Sequence, residues 1–170
     1  FKLGVLKGDT VVDVSQAVSD IPHTGPHNLI SGLIERFGDY RGALERAAAT
    51  GTGTPLDKVR IRPPLPKPVN IDCMAVNYME DGTRKEPAPI NAFHKSPSAV
   101  IGHGDTIVLP EYNEKKMYGD GPGPYVFQHE AELGIVTKGP SKSVSRDNWR
   151  QAVFGYTGMI DVSARLEGRS

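Results

Sequence analysis

A chain of 170 residues with 38% hydrophobic residues is long enough for one sizeable core but short for two independent cores. Lys+Arg and Asp+Glu are each 20, and neither sign forms a run that could follow a phosphate backbone, so we predict no nucleic-acid partner. No apolar stretch approaches the roughly 18 residues of a membrane span, and the start lacks a signal-peptide layout, so we predict a cytoplasmic protein without membrane contact.

The first part of the chain predicts a hairpin followed by two helices. Residues 1–14 place β-type residues on both sides of the turn pair Gly8-Asp9. A helix is predicted from the N-cap Asn28 to Gly38, and a second helix over residues 41–49. Residues 51–55 then break the helical pattern. The proline-rich segment 62–68 is stiff and poor in donors, so we predict one domain over residues 1–60 and another over 61–170.

The second part of the chain is rich in β-type residues. The single cysteine, Cys73, lies in an apolar run and is predicted to be a buried thiol. A short helix is predicted from Ser145 toward Val153, and a long loop over residues 110–124. The sequence therefore predicts a mixed α+β fold that is rich in strands. The predicted strands are Val69–Val76, Ala92–Lys95, Thr106–Leu109, Tyr125–Val136 and Phe154–Ala164.

Two carboxylates share one face of the predicted strand 125–136. Its period of two places Glu130 and Glu132 on one face and the apolar residues on the other face, which we expect to be core. Like charges roughly 7 Å apart along a strand favour a counter-ion. The competing interpretation is that both glutamates lie on the solvated face of an antiparallel strand.

Asp161 adds a third acid to this pattern. It lies inside an apolar run, where a carboxylate is costly to bury without a partner, and alternation places it on one face with Thr157 and Ser163. Three carboxylates without clustered cysteine or histidine suit Mg²⁺, Mn²⁺ or Ca²⁺ better than zinc. The spacing is compatible with a metal site formed by Glu130, Glu132 and Asp161, and the solvated-face interpretation stays open on the spacing alone.

Several segments, in order, resemble the fumarylacetoacetate hydrolase family. They are Lys67-Pro68-Val69-Asn70-Ile71, Ala75-Val76-Asn77-Tyr78, Phe93 to Gly102, Glu130-Ala131-Glu132-Leu133-Gly134 and Asp161-Val162-Ser163-Ala164-Arg165. The resemblance is strong over residues 59–165, and the part before residue 55 is similar to the variable N-terminal region of the family. It implies a β-roll, incomplete in this chain, with a small N-terminal α/β domain.

The resemblance also implies an activity and a set of site residues. The glutamates of the E-x-E strand and the later aspartate bind Mg²⁺ or Mn²⁺ in that family, so the resemblance implies that Glu130, Glu132 and Asp161 form a metal site here. The implied substrate is a small carboxylic acid, either a 2-oxo or a β-dicarbonyl acid, and the ion stabilises its enolate during C–C hydrolysis, decarboxylation or tautomerisation. Lys95 and Arg165 match conserved cationic positions, and with Tyr78 they are predicted to bind the substrate.

The general base departs from the family pattern. Many members have a histidine three residues beyond the Asn-Tyr pair, where this chain has Asp81. Glu80 or Asp81 would need a raised pKa to replace that histidine near neutral pH, and Lys95 is the third candidate for a catalytic role. His94 and His129 both alternate away from the expected site face, so they are predicted to be satisfied or peripheral.

Two further expectations follow from the resemblance. Family members continue beyond the third carboxylate, and an incomplete β-roll exposes strand edges, which favours a homodimer. The alternative to an enzyme is a non-catalytic relative that keeps the fold and binds a ligand or a partner, which Asp81 favours. A strand-rich structural domain with merely solvated carboxylates is the third interpretation.

Overall fold

A computed structural model describes residues 1–77, 85–86, 88–109 and 125–166, with the backbone alone at 125, 126, 165 and 166. The chain divides into two compact units, Phe1–Asp105 and Thr106–Ser170. Two α-helices and seven strands lie in the described residues. The predicted loop over residues 110–124 lies outside them.

The first unit opens with a three-stranded antiparallel sheet. Strands β1 (Gly4–Lys7) and β2 (Thr10–Asp13) pair as a hairpin, which confirms that prediction. Gly8 has φ 57° in the connecting turn, a backbone conformation that glycine adopts without steric cost. Strand β3 (Gly53–Pro55) pairs with β2 and was missed from the sequence, because its glycine and proline indicate a break.

Two consecutive helices follow this hairpin, and both begin earlier than predicted. Helix α1 (Pro26–Glu35) starts two residues before Asn28, because a proline in the first turn has its φ preset and needs no N–H partner. Asn28 is therefore not the N-cap. Helix α2 (Phe37–Thr50) includes Gly38 in its first turn, so the glycine that we predicted to end a helix lies inside one.

Apolar residues of these elements form the core of the first unit. The helical spacing predicted for α1 is confirmed, since Leu29, Leu33 and Ile34 are buried. They lie with residues from β2, the following turn and α2. The buried cluster contains Val12, Val14, Val18, Ile21, Leu29, Leu33, Tyr40 and Leu44.

A separate two-stranded ribbon completes the described strands of the first unit. Strands β4 (Ile71–Ala75) and β5 (Asn91–Lys95) are antiparallel, close to their predicted bounds. Cys73 is a buried thiol, as predicted. Val76, the residue after β4, has φ 54°, an uncommon conformation for a β-branched residue.

The second unit contains a long antiparallel hairpin. Strand β6 (Tyr125–Thr137) pairs with β7 (Val153–Leu166), and both cover the strands predicted from the sequence. Two other predictions for this unit are wrong. Residues 106–109 form no strand, since none of the described strands pairs with them, and the segment from Ser145 forms a turn and one 3₁₀ turn, Trp149–Ala152, instead of a helix.

The burial of the two faces of the β6–β7 hairpin is the opposite of the prediction that the apolar face is core. The side chains of Leu133, Ile135, Tyr156 and Ile160 lie on the apolar face and are 57–61% exposed. The carboxylate side of the hairpin is the more buried one, since Asp161 is only 4% exposed. The period of two identifies the residues of each face, but burial depends on what packs against them.

None of the described helices is both long and apolar enough to cross a membrane. The cytoplasmic location stays a prediction.

Candidate metal centre

Three carboxylates converge on one face of the β6–β7 hairpin. Each of Glu130, Glu132 and Asp161 offers an oxygen, and these oxygens lie within 4.8 Å of one another. Both glutamates are half-buried and the aspartate is buried. Within the described part of the chain, this is the group of acidic, histidine or cysteine side chains with the spacing of a metal site.

The strand register explains the convergence. Glu130 lies directly opposite Asp161, and Glu132 is two residues further along the same strand. Side chains two apart on a strand share a face, and directly opposite residues have Cβ atoms about 4.5–5.5 Å apart. Three carboxylates that are spread over 32 positions of the sequence therefore place their oxygens in one compact triangle.

The electrostatics of the triangle favour a cation. Two unit charges 4.8 Å apart repel by about 3 kcal/mol at an effective dielectric constant near 20. A divalent ion between the three groups replaces that repulsion with attraction. Carboxylate oxygens are the ligands that hard ions such as Mg²⁺, Mn²⁺ and Ca²⁺ prefer, so the donor set fits such an ion.

Met159 completes the same face and was not singled out from the sequence. It lies directly opposite Glu132, so it occupies the fourth corner of the rectangle formed by the two pairs. Gly134 is the next position along this face of β6, and a Cβ there would lie 3.3 Å from Met159 Sδ and 3.0 Å from Thr157 Cγ2. The same period of two that grouped the acids also places Met159 among them.

The other predicted site residues lie in the first compact unit, outside the described residues, or where only the backbone is described. Tyr78, Glu80 and Asp81 lie outside the described residues. Lys95 ends β5 in the first compact unit, whereas the carboxylates lie in the second. Arg165 is in β7, and only its backbone is described. The roles of these five residues therefore stay predictions.

His129 alternates away from the glutamates of β6, and His94 alternates away from Lys95 on β5, as predicted. His129 pairs in register with Val162 on the opposite face of the hairpin and is exposed. His94 Nδ1 lies 2.5 Å from Oδ1 of Asp72, its cross-strand neighbour in the first unit. An imidazole with such a partner is satisfied locally.

The chain has relatives among curated proteins. It is 27% identical over 168 residues to a fumarylacetoacetate hydrolase domain-containing protein 2 homolog of Dictyostelium discoideum, covering 96% of this chain and 50% of that protein. It is 32% identical over 116 residues to oxaloacetate tautomerase YisK of Bacillus subtilis, covering 65% of this chain and 35% of that protein. The chain thus spans half or less of the length of these relatives.

A solved structure has the same fold. Maleylpyruvate hydrolase of a Sphingobium species, in complex with manganese(II) ion and pyruvate, superposes with a TM-score of 0.79 at 32% identity. The match covers 99% of this chain and 57% of that one. The strand-rich architecture with two helices is therefore that of a fumarylacetoacetate hydrolase-type protein.

A family comparison agrees with this architecture. Residues 70–169 match the family described as "Fumarylacetoacetate (FAA) hydrolase C-terminal". This match covers the β4–β5 ribbon, the β6–β7 hairpin and all three carboxylates. The chain belongs to the fumarylacetoacetate hydrolase family.

Proposed function

We propose that Glu130, Glu132 and Asp161 hold a divalent ion, Mg²⁺ or Mn²⁺, with Ca²⁺ also compatible with the oxygen donors. The observation that carries this proposal is the approach of three carboxylate oxygens within 4.8 Å on the more buried side of the hairpin. Three carboxylates this close together raise one another's electrostatic energy, and a bound divalent cation would lower it. The manganese(II) named for the Sphingobium maleylpyruvate hydrolase supports an ion of this class.

The proposed activity is that of an enzyme on a small 2-oxo or β-dicarbonyl acid. Relatives named as an oxaloacetate tautomerase and a maleylpyruvate hydrolase support this substrate class. The ion would supply Lewis-acid polarisation of neighbouring substrate oxygens, which is worth several kcal/mol. C–C bond hydrolysis, decarboxylation and tautomerisation all use this polarisation, and we propose one of these three reactions.

The remaining site residues have proposed roles in binding and proton transfer. Lys95 and Arg165 would bind the carboxylate of the substrate, with Tyr78 beside them, because cationic side chains donate charge-assisted hydrogen bonds to carboxylates. Glu80 or Asp81 would accept the proton, and Lys95 is the third candidate for this step. Substitution of each residue, followed by separate measurement of KM and kcat, distinguishes binding from proton transfer.

Calorimetric titration tests the ion site directly. Mg²⁺ and Mn²⁺ are titrated into wild type, Glu132→Gln and the matched control Asp147→Asn, which removes an exposed carboxylate in the same unit. Wild type and the control should bind with the same affinity, and Glu132→Gln should bind at least about 100-fold more weakly, because one charge is lost close to a divalent ion. Equal binding by all three proteins, or by none, would contradict the proposal.

Turnover distinguishes an enzyme from a binding protein. Oxaloacetate and an acylpyruvate should be consumed only when Mg²⁺ or Mn²⁺ is added. The second candidate function is a non-catalytic member of the family that binds a ligand or partner, and Asp81 in place of the usual histidine favours it. Metal binding without turnover of any acid in such a panel would support this alternative.

We further propose that the chain associates as a homodimer. The apolar face of the β6–β7 hairpin supports this, because an exposed patch of large apolar side chains is typical of an interaction surface. Leu133 lies near its centre and is 61% exposed. Leu133→Arg should lower the molar mass measured by light scattering from that of a dimer to that of a monomer. A monomeric wild type would contradict the proposal.

The domain organisation is also proposed. Residues 1–60 would form the small N-terminal α/β domain, and residues 61–170 the first part of the catalytic β-roll. The proline-rich segment 62–68 supports a boundary there, because few contacts are expected across a stiff, donor-poor segment. Limited proteolysis should cleave first near this segment if the boundary is correct.

A further inference from the structure

The carboxylate face of the β6–β7 hairpin has four corners, and one of them is not an acid. Glu130 faces Asp161 across the ribbon, and Glu132 faces Met159. Directly opposite side chains are in contact distance, with Cβ atoms about 4.5–5.5 Å apart. Met159 therefore borders the same small area as the three carboxylates, and it is 37% exposed.

The chemistry of a thioether gives Met159 a different role from its neighbours. Soft sulfur ligands suit Cu(I) and not the hard ions that prefer oxygen, so Met159 would not replace a carboxylate as a ligand of Mg²⁺ or Mn²⁺. A methionine is instead a flexible apolar side chain that fills irregular space. At this corner it presents an apolar side chain opposite Glu132.

The neighbouring glycine gives the methionine its space. Gly134 lies on the same face, one position beyond Glu132, and a Cβ there would lie 3.3 Å from Met159 Sδ. That distance is shorter than the ordinary van der Waals separation of about 3.5–4.0 Å between heavy atoms. The absence of a side chain at Gly134 thus lets the thioether lie over this end of the face, next to the Glu132 position.

We infer that Met159 is a specificity-determining residue that limits the size of the acid bound at the carboxylate site. This inference rests on the proposed function of Glu130, Glu132 and Asp161 as an ion site. An acid that approaches the ion by its oxygens directs its remaining carbon chain to a side of the triangle that carries no carboxylate. Met159 lies on the side that carries no carboxylate. Its apolar side chain takes the volume that a longer or branched acid would need.

Shortening the side chain should therefore change which acids bind. Met159→Ala removes three heavy atoms and opens space for additional carbons. Burying one methylene is worth about 0.8 kcal/mol, so each added methylene should improve affinity about fourfold relative to wild type until the space is filled. Met159→Leu has a similar volume and should retain the wild-type order of affinities.

The experiment uses the full chain loaded with Mn²⁺, and the readout is the relaxation rate of water protons, which reports water molecules on the bound ion. Pyruvate, 2-oxobutyrate, 2-oxovalerate and 3-methyl-2-oxobutanoate are titrated in turn, and displacement of water gives an affinity for each. The variants are Met159→Ala, Met159→Leu and the matched control Met74→Ala. Met74 lies on β4 in the other compact unit and is similarly exposed.

All proteins should bind Mn²⁺ within about twofold of one another, and only Met159→Ala should gain affinity for the longer and branched acids. If Met159→Ala does not fold, Met159→Val tests the same effect with a residue suited to a strand. Mn²⁺ binding with unchanged acid selectivity would overturn this inference alone. Loss of Mn²⁺ binding in Met159→Ala would also overturn it, whereas no Mn²⁺ binding by wild type would overturn the proposed function itself.

Discussion

Replacing Glu132 by glutamine should leave the metal-free protein at least as stable as wild type. The substitution removes repulsion from two neighbouring carboxylates, about 3 kcal/mol for each pair at the 4.8 Å limit of their separation. A hydrogen bond to a charged group contributes about 1.5–3 kcal/mol, which is less than the summed repulsion from the two carboxylates, so the relief of repulsion is the larger effect. In EDTA, the free energy of unfolding of Glu132→Gln should therefore equal or exceed that of wild type.

Added Mn²⁺ should reverse this order. At a concentration 100 times the dissociation constant, an ion bound only to the native state adds about 2.7 kcal/mol to the free energy of unfolding. For a chain of this size, such a gain raises Tm by about 5–10 °C. Affinity that is 100-fold weaker in Glu132→Gln leaves a gain of about 0.4 kcal/mol at the same concentration.

Thermal and urea unfolding are each measured in EDTA and in Mn²⁺, which gives four curves for each protein. The EDTA curves report the relief of repulsion, and the difference between EDTA and Mn²⁺ reports the stabilisation by the ion. Asp147→Asn is the control, because it removes an exposed acid from the same unit but not from the triangle. Equal Mn²⁺-induced shifts in wild type and Glu132→Gln would refute the ion site. A metal-free variant less stable than wild type by more than about 1 kcal/mol would refute the reasoning about repulsion.

Two further outcomes test the packing and the electrostatics of the fold. Gly134→Ala should destabilise the protein in urea unfolding, because the added Cβ would lie 3.0 Å from Thr157 Cγ2. Gly158→Ala should have little effect, because among the described residues other than its chain neighbours no atom lies within 4 Å of a Cβ at that position. The hydrogen bond from Lys2 lowers the pKa of Asp13 to about 2. The stabilisation that this bond gives the native state is fully present above the pKa of Asp13 in the unfolded chain, and it is lost as the pH falls from about 4 through 2. Asp13→Asn should remove that part of the acid dependence of unfolding, and an unchanged pH profile would contradict the assignment.

Long strands were more predictable from the sequence than element ends. Strands β6 and β7 were found because alternation over many residues is a repeated signal. The start of α1 was misplaced because a side-chain cap at Asn28 and a proline in the first turn are both valid ways to begin a helix. Strand β3 was missed since three residues with a glycine and a proline have no period to detect.

The site could be predicted in part, for a similar reason. Alternation assigned Glu130 and Glu132 to one face, and the apolar surroundings of Asp161 indicated a carboxylate that needs a partner. The sequence does not specify the register of two strands, so the pairing of Glu130 with Asp161 could not be derived from it. Met159 was overlooked because an apolar residue in a strand is ordinarily core.

The reversed burial of the β6–β7 hairpin links the site to the association of the chain. A hairpin is stable in water only when something covers its apolar face, because a two-stranded ribbon buries little surface by itself. In this structure Leu133 and Ile160 on that face are each 61% exposed, whereas Asp161 on the other face is 4% exposed. A second copy of the chain on the apolar face, as proposed above, would therefore help to hold the two strands in register. Since that register brings Glu130 opposite Asp161, association through the apolar face should tighten ion binding on the opposite side.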